Sequence, residues 1–421
     1  MDVVIEGRVL LGRDLVECCI GIEDGKIAKI AKTIGKADRR YDFTGKIIMP
    51  AAIDAHVHFR EPGMTQKEDF GTGSSAAACG GVSFVLDMPN TRPPTRTSED
   101  VKEKVSLISR KSFVDFGIAA LLDTEAGVKG PAKGALAFKI YLGETTGDLG
   151  IGSNELAGSI SRVTDRPIFI HAEHVKALES RVERNLSDHN AHRSEALEME
   201  AARMVASMKS RNSRVHLLHV TQAGILQLAA ESGITAEVTP HHLLLDADST
   251  LGALGKINPP LRSRGARIKL WDAFVSGKAD TIGSDHSPHT IEEKGEDFDS
   301  APSGMPGVET LLPLMLQKVA EKKLGLPMLS ERCSLRPAQI CGLNKGRIEA
   351  GCHADLVAVD LRKSIRIHAE KLHSKCGWTP YEGMEAIFPF ATFIRGVEVA
   401  REGELSGDRI GAFIGPGVNK P

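Results

Sequence analysis

Short apolar runs rich in β-branched residues recur between about residues 50 and 330, separated by longer stretches of helical pattern. Two of these stretches, 195–209 and 266–275, have the mixed apolar and polar texture of helices. Eight strands that alternate with helices are typical of a (β/α)8 barrel of the TIM type, in the α/β class. The predicted strands lie near 53–58, 82–88, 113–120, 135–142, 167–173, 214–221, 235–240 and 280–285.

The two ends of the chain have a different pattern, made of short strands and turns. In residues 19–30, apolar runs flank Glu23-Asp24-Gly25, and Asp-Gly between such runs indicates a hairpin. The stretches 355–360 and 392–403 repeat this texture near the C-terminus. We therefore predict one small β-sandwich domain formed by 1–50 plus 345–421, beside a barrel formed by 51–344.

Composition narrows the range of partners. The net charge of −2 argues against a general affinity for nucleic acid or anionic membranes, and 5% aromatic residues leave few stacking platforms for single strands. Seven cysteines without a Cys-x-x-Cys pair fit reduced thiols rather than a disulfide framework. Because we find no signal-peptide pattern and no apolar run of about 18 residues, we expect a soluble cytoplasmic protein.

A candidate metal site follows the first predicted barrel strand. His56 and His58 are two residues apart, and strand side chains alternate with period two, so both imidazoles point to the same side. That spacing suits a divalent metal. Arg60 continues the alternation and places a cation beside the pair.

Polar side chains recur at the ends of the other predicted strands, where barrels of this kind carry their functional residues. His171, His219 and Asp285 occupy such positions, and Lys139 lies within an apolar strand. Imidazoles with a carboxylate suit Zn²⁺, although Mn²⁺, Co²⁺ or Fe²⁺ are also compatible with these ligand types. A hydrogen-bonded core histidine is the alternative for any one of them, but their recurrence at one rim favours a metal site.

Two of these residues admit more than one chemical role. Lys139 is either half of an internal ion pair or a carbamate formed with CO₂, because burial favours the reactive free amine. Asp285 is either a pure ligand or the general acid and base that passes a proton to a leaving nitrogen. The pattern alone does not decide between them.

A second group of donors has no evident ligand role. Arg60 suits bidentate capture of a carboxylate, and Asn90 and His289 lie near the same rim. Asn90 also fits a simple turn residue. We interpret His241 and His242 as structural, since the ligand set is complete without them, and leave His286 between a supporting and a packing role.

These motifs, in this order, resemble the dihydroorotases, in the cyclic-amide branch of the amidohydrolase superfamily. The resemblance covers nearly the whole chain, including the split β-domain. The segments that carry it are 56–63 (HVHFREPG), 87–91 (DMPNT), 138–141 (FKIY), 171–173 (HAE), 219–221 (HVT), 258–262 (NPPLR) and 283–289 (GSDHSPH).

The resemblance implies a metal-dependent hydrolase with two Zn²⁺ per subunit. The implied ligands are His56, His58 and Asp285 for one ion, His171 and His219 for the other, and a carboxylated Lys139 that bridges both ions together with a hydroxide. Some relatives have Asp at the lysine position, so Lys139 indicates the carbamate-using kind.

The same resemblance implies reversible cyclisation of N-carbamoyl-L-aspartate to (S)-dihydroorotate, a step of pyrimidine biosynthesis, with Asp285 moving the proton. It also favours a homo-oligomer, for example a dimer, and leaves association with another enzyme of the pathway open. The implied substrate contacts are Arg60, Asn90, Asn258, His289 and the backbone near Pro306 and Gly307, with a mobile loop, 143–147 (GETTG), that carries Thr145 and Thr146.

Two other functions compete with this one. Allantoinases and hydantoinases share the metal ligands, but Arg60 with Asn90-Thr91 favours a substrate that carries a carboxylate, which hydantoins and allantoin lack. A non-catalytic homologue acting as a scaffold would typically have lost metal ligands, and in this sequence none is missing.

Overall fold

The computed structural model describes residues 1–122, 131–142, 153–173 and 182–417. Eight strands form a sheet in which every hydrogen-bonded pair is parallel. These strands are Ala52–Val57, Val82–Asp87, Asp115–Leu121, Ala137–Leu142, Pro167–Ala172, Arg214–Leu217, Thr235–Val238 and Thr281–Ile282. The predicted (β/α)8 barrel is confirmed, and each predicted strand overlaps an observed one.

The barrel closes between its first strand and the segment that follows its last. Val57 and His286 form a parallel bridge, and the amide of His58 donates to the carbonyl of His286 over 2.7 Å. Most of the strand residues are buried on both faces, as parallel barrel strands are when helices cover the outside. Closure therefore brings the ends of the first and eighth strands, with their polar residues, into direct contact.

Helices surround the barrel and begin at recognisable caps. Asp69 accepts a hydrogen bond from the Thr72 amide over 3.0 Å, and Thr97 with Asp100 forms a capping box. The described helices are Phe70–Cys79, Ser98–Ile108, Ser153–Ser161, Leu186–His192, Glu195–Met208, Ala223–Glu231, Pro240–Leu244, Arg264–Val275, Ile291–Lys294, Leu311–Ala320, Leu326–Ser330 and Arg336–Cys341, with a π turn at Glu331–Leu335 and 3₁₀ turns at Gly252–Gly255 and Ala369–Lys371.

Strands from both ends of the chain build a second, mixed sheet, which confirms that head and tail fold together. In spatial order its strands are Glu404–Leu405, Val397–Arg401, Ala391–Ile394, Leu356–Val359, Arg39–Pro50, Val3–Leu11, Asp14–Glu23 and Lys26–Ala31. Asp24 and Gly25 both have positive φ, at 50° and 73°, as the predicted tight hairpin requires. A separate pair, Ile365–Arg366 with Glu385–Ala386, is antiparallel.

The chain passes from the small sheet to the barrel within two residues. The amide of Ala51 donates to Asp355 of the tail over 3.0 Å, whereas the amide of Ala52 donates to Gly81 of the barrel over 2.9 Å. Further along, Ala412 and Ile414 of the tail hydrogen-bond with Phe116, a residue of the third barrel strand. The boundaries 1–50, 51–344 and 345–421 stay a prediction.

No helix in the described part of the chain is long and apolar enough to cross a membrane. All seven cysteines are free and buried, as expected of reduced thiols.

A buried ion network joins the barrel to the tail. The ammonium of Lys345 contacts Asp355 and lies 2.8 Å from Asp115, which also pairs with Arg395. Burial alone would lower the pKa of Lys345, but the attraction of Asp355 and Asp115 raises it above its usual value. The charge is therefore retained inside the protein.

We predict that Lys345→Met lowers the free energy of unfolding by about 3–5 kcal/mol, because it leaves buried carboxylates without their partner. Urea denaturation followed by circular dichroism measures the change. Lys102→Met, which breaks an exposed pair with Glu99, is the control and should cost less than about 1 kcal/mol. Equal effects of the two substitutions would contradict the buried network.

Candidate active site

The six predicted ligands meet around one cavity at the mouth of the barrel. Each lies in a barrel strand or within a few residues of its carboxyl end, so the barrel geometry brings together groups up to 229 positions apart. All six line this cavity: His56, His58, Lys139, His171, His219 and Asp285.

The Asp285 carboxylate lies between the two imidazoles of the first strand. Its Oδ1 is 3.2 Å from His56 Nε2 and 3.2 Å from His58 Nε2. On the opposite side, His171 Nδ1 and His219 Nε2 are 2.8 Å apart. One ligand atom from each of His56, His219 and Asp285 lies within 4.8 Å of the other two. Two groups of donor atoms therefore face one small space.

The chemistry of these donors fits divalent metal ions. His56 Nε2 is buried and makes no hydrogen bond to a described residue. Burial holds the pKa of His56 and of His219 well below the usual value, so both imidazoles are neutral and offer lone pairs. Neutral imidazoles grouped with a carboxylate are the ligands that Zn²⁺ binds in hydrolases.

Other polar groups hold the far sides of these imidazoles. Glu237 Oε1 lies 2.8 Å from His56 Nδ1, and Asn90 Oδ1 lies 2.5 Å from His58 Nδ1. Such contacts fix the tautomer and ring orientation of a ligating histidine. Glu237 is not among the site residues predicted from the sequence, although an acidic residue inside the buried strand Thr235–Val238 was an available signal.

Three residues at the mouth have backbones in the left-handed region, which non-glycine residues rarely adopt. Their φ angles are 62° at Arg60, 38° at His219 and 45° at Asp285. Local strain of this kind persists only where the surrounding structure maintains it, and it concentrates at functional sites. All three residues line the cavity.

Lys139 is buried and has no ion pair with a carboxylate in the described ranges. Burial lowers the pKa of its ammonium to about 7, against the opposing attraction of Asp285 and Glu237. A substantial fraction of the amine is therefore unprotonated at neutral pH. The internal ion pair considered from the sequence is not formed by the described residues.

Arg60 is a second buried cation, only 2% exposed, and it lines the same cavity. Its Nε donates to the Pro288 carbonyl over 3.2 Å, and Nη2 lies 3.3 Å from His289 Nε2. Among the described residues no carboxylate forms an ion pair with it. A buried guanidinium without an anionic partner is costly unless a ligand supplies the anion.

The cavity wall also includes residues that the sequence analysis did not select. Tyr141 follows Lys139 by two positions on the same strand, so period two could have identified it, and its buried hydroxyl lacks a hydrogen-bond partner among the described groups. Gly304 has a φ of +144°, and a Cβ there would lie 2.3 Å from the Ser287 carbonyl oxygen. The remaining additions are Ile257, Ser287 and Ser303.

The predicted substrate contacts differ in their positions. Asn90 and Asn258 line the cavity with Arg60, and the buried Asn258 Oδ1 lacks a partner among the described groups. His289 lies behind Arg60, while the Gly307 amide donates to His286 Nδ1 over 3.1 Å. Pro306 and Gly307 are not among the described residues that line the cavity. Thr145 and Thr146 lie outside the described residues.

The remaining histidines of the sequence analysis are buried near the site. His242 Nε2 donates to the Pro259 carbonyl over 3.0 Å, and its Nδ1 lies 2.8 Å from Thr239 Oγ1. His286 accepts amide hydrogen bonds at Nδ1, and its Nε2 lies 3.3 Å from Glu68. Both rings are held by protein groups, and neither they nor His241 line the cavity in the described structure.

The barrel fold and the residues at its mouth together indicate one class of hydrolase. The sequence model of the amidohydrolase family matches residues 47–399, which include every barrel strand and the strands Leu356–Val359 and Ala391–Ile394 of the second sheet. Metal dependence is typical of that family, and the group of His56, His219 and Asp285 could bind a metal ion.

The relatives narrow the class. A dihydroorotase of Thermoplasma acidophilum is 38% identical over 419 residues, covering 98% of both chains, and one of Methanosarcina acetivorans is 39% identical over 95% of this chain and 92% of its own. The chain therefore belongs to the amidohydrolase family and, within it, to the dihydroorotases.

Solved structures of related hydrolases share the complete architecture. An L-hydantoinase (dihydropyrimidinase) from Arthrobacter aurescens superposes with a TM-score of 0.92 at 27% identity, covering 98% of this chain and 99% of its own. A dihydropyrimidinase from Brevibacillus agri, at 23% identity and a TM-score of 0.90 over the full length of both chains, agrees in fold.

We predict that Glu237→Gln weakens metal binding about 10–100-fold, because the carboxyl group that holds His56 Nδ1 from behind is replaced by an amide. Competition with a chromophoric chelator measures the affinity. The exposed Glu231→Gln serves as the control and should leave it unchanged. Unaltered affinity in Glu237→Gln would show that the carboxylate does not support the ligand.

Proposed function

We propose that this chain interconverts N-carbamoyl-L-aspartate and (S)-dihydroorotate, as a step of pyrimidine biosynthesis. The observation that carries the proposal is the buried Arg60 guanidinium, which faces the same cavity as the four imidazoles and Asp285 and has no ion pair with a described carboxylate. Both proposed substrates carry a carboxylate that could supply the missing anion. The full-length similarity to dihydroorotases supports the same assignment.

We infer that two zinc ions are held in the cavity. His56, His58 and Asp285 would bind one, His171 and His219 the other, and a carboxylated Lys139 would bridge them. When bound, such ions supply Lewis acidity for a carbonyl and make water a nucleophile near neutral pH. Glu237 and Asn90 keep the first two imidazoles oriented toward this space.

Carboxylation of Lys139 would explain how this side chain can be buried without an ion pair to a described carboxylate. The free amine attacks CO₂, a nitrogen–carbon bond forms, and the nitrogen loses a proton. A buried cation thereby becomes an anion beside the metal ligands. The low pKa of the ammonium and the lack of an ion pair among described residues both favour this reaction.

Asp285 is the proposed proton carrier. Its Oδ1 lies within 3.2 Å of two imidazole nitrogens, at the edge of the cavity where attacking water and leaving nitrogen would meet. In ring opening it takes a proton from the attacking water and passes it to the ring nitrogen as the carbon–nitrogen bond breaks. In ring closure the carbamoyl nitrogen bonds to the side-chain carboxyl carbon and water leaves.

The other contacts are assigned by position. Arg60 binds the free carboxylate, with Asn90 beside it and His289 supporting the guanidinium from behind. The Oδ1 of Asn258, which has no hydrogen-bond partner among the described residues, accepts a hydrogen bond from a ring N–H. The backbone near Pro306 and Gly307 and the loop residues Thr145 and Thr146 stay predicted contacts, and the Gly307 amide itself donates to His286.

A substrate panel tests the assignment against the hydantoinases that share the fold. We expect activity on dihydroorotate and on N-carbamoyl-L-aspartate, and far less on hydantoin or allantoin, which lack the carboxylate for Arg60. Preference for either of the latter would reassign the substrate. Absence of turnover with all four, in protein of full metal content, would favour a non-catalytic homologue.

We also propose a cytoplasmic homo-oligomer, for example a dimer. The free, buried cysteines support a reducing compartment. Light scattering after gel filtration measures the oligomeric state and would reveal a monomer directly. Docking with another enzyme of the pathway is left open.

We predict that Arg60→Ala raises KM for dihydroorotate by about 10²-fold or more, since the loss of a charge-assisted bidentate contact costs roughly 3 kcal/mol. Steady-state kinetics measures KM, and elemental analysis should find the metal content unchanged. Arg166→Ala, which removes a guanidinium that donates to backbone carbonyls away from this cavity, is the matched control. Loss of metal in Arg60→Ala would show that Arg60 supports the metal site instead.

We predict that Lys139→Met lowers the metal content and reduces kcat at least about 10³-fold, which corresponds to roughly 4 kcal/mol of the barrier. Mass spectrometry of the native wild-type protein should find an added CO₂ on Lys139 that is lost on denaturation in acid. Full metal content together with an unmodified lysine would contradict the bridging role.

A further inference from the structure

Three metal-capable side chains meet at a second place, away from the barrel mouth. Cys79 ends the helix Phe70–Cys79, Glu309 precedes the helix Leu311–Ala320, and His373 belongs to the tail. One potential ligand atom from each lies within 4.8 Å of the other two. None of the three lines the cavity of the candidate active site.

The geometry at His373 is that of a supported ligand. Its Nδ1 lies 2.8 Å from Glu309 Oε1, and its backbone amide donates to Glu309 Oε2 over 2.7 Å. These contacts leave Nε2 directed at Cys79 Sγ, 3.6 Å away. Zinc bonds of about 2.3 Å to sulfur and 2.0 Å to nitrogen, at a tetrahedral angle, separate those atoms by roughly 3.5 Å.

Close packing of the backbone creates this arrangement. Gly80 follows Cys79, and a Cβ there would lie only 2.5 Å from the Glu309 carbonyl oxygen. Any larger residue would push the helix end away from the Glu309 segment. Glycine at position 80 therefore permits the approach that brings the thiol beside the imidazole.

A cation can reach these donors from outside. His373 and Glu309 line a cavity of about 650 Å³, together with the exposed Glu404. Apart from Glu309, the residues that line this cavity belong to the tail, between positions 360 and 404. Glu404 lies close enough to act electrostatically on both Cys79 and His373. Glu404 and Glu309 thus place negative charge beside the thiol and the imidazole, on the side that faces this cavity.

We propose that Cys79, His373 and Glu309 form an accessory binding site for a thiophilic divalent cation of the Zn²⁺ type, distinct from the candidate active site. A thiolate and the Nε2 of an imidazole would bind such an ion directly, and the adjacent Glu309 carboxylate, which holds His373, completes the balance of a 2+ charge.

A cysteine nucleophile activated by His373 is the alternative interpretation. Cys79 is only 2% exposed, and burial, with the negative charge of Glu309 and Glu404, raises the pKa of its thiol far above the usual value. Nucleophilic cysteines have the opposite environment, which lowers the pKa. Coordination to a metal would deprotonate the thiol directly, so the cation site is the better assignment.

Cobalt substitution tests the site in the full-length protein. None of the proposed active-site ligands is a cysteine, so a thiolate-to-Co²⁺ charge-transfer band reports on a cysteine outside the active site, and the Cys79→Ser variant identifies that cysteine. We expect that band in wild-type protein dialysed against Co²⁺, and we expect Cys79→Ser to abolish it, to bind one metal ion fewer per chain and to keep its catalytic activity. Cys333→Ser, which alters a cysteine buried elsewhere, should keep the band.

His373→Gln provides a second, partly exposed variant in case Cys79→Ser does not fold. It should weaken Co²⁺ binding at the thiolate site about tenfold or more while leaving the metals of the active site in place. A missing band in the wild type, a band that survives Cys79→Ser, or unchanged affinity in His373→Gln would each overturn the proposal. These readouts are independent of whether the active site uses dihydroorotate.

Discussion

Burial of the Lys139 amine and the Arg60 guanidinium beside four imidazoles in one cavity creates an electrostatic imbalance that the described protein atoms do not neutralise. Asp285 lies between two of the imidazoles, and neither Lys139 nor Arg60 pairs with a described carboxylate. Buried charge of this kind destabilises a fold unless it is matched. The proposed metals, the carbamate and the substrate carboxylate would each remove part of the imbalance, and this links stability, cofactor and substrate in one site.

The barrel makes this concentration of polar groups possible. Closure by the bridge between Val57 and His286 aligns the ends of strands that are distant in the chain, and Arg60, His219 and Asp285, whose backbones are left-handed, line the common cavity. The apolar strands and surrounding helices provide the stability that compensates for this local strain. Catalytic capacity therefore depends on rigid elements rather than on a single motif.

The tail of the chain contacts both the small sheet and the barrel. It completes the small sheet, joins the barrel through the network of Lys345, Asp115 and Asp355, and places His373 beside Cys79. It also contributes Ser374, which donates a hydrogen bond to Glu68, the carboxylate beside His286. The tail thus contacts the barrel from outside at several separate points.

Sequence pattern alone determined the alternation of strands and helices, the shared sheet of head and tail, and the recurrence of imidazoles and a carboxylate at strand ends. These features could be predicted because the periods of 2 and 3.6 residues are local properties of the chain, and because functional residues of such barrels lie at the carboxyl ends of the strands. Only the tertiary structure decided which polar groups support them. Glu237 behind His56, Tyr141 in the cavity wall, and the meeting of Cys79 with His373 depend on contacts between distant segments. Such contacts leave no periodic trace in the chain, since their distances are set by the packing of whole elements.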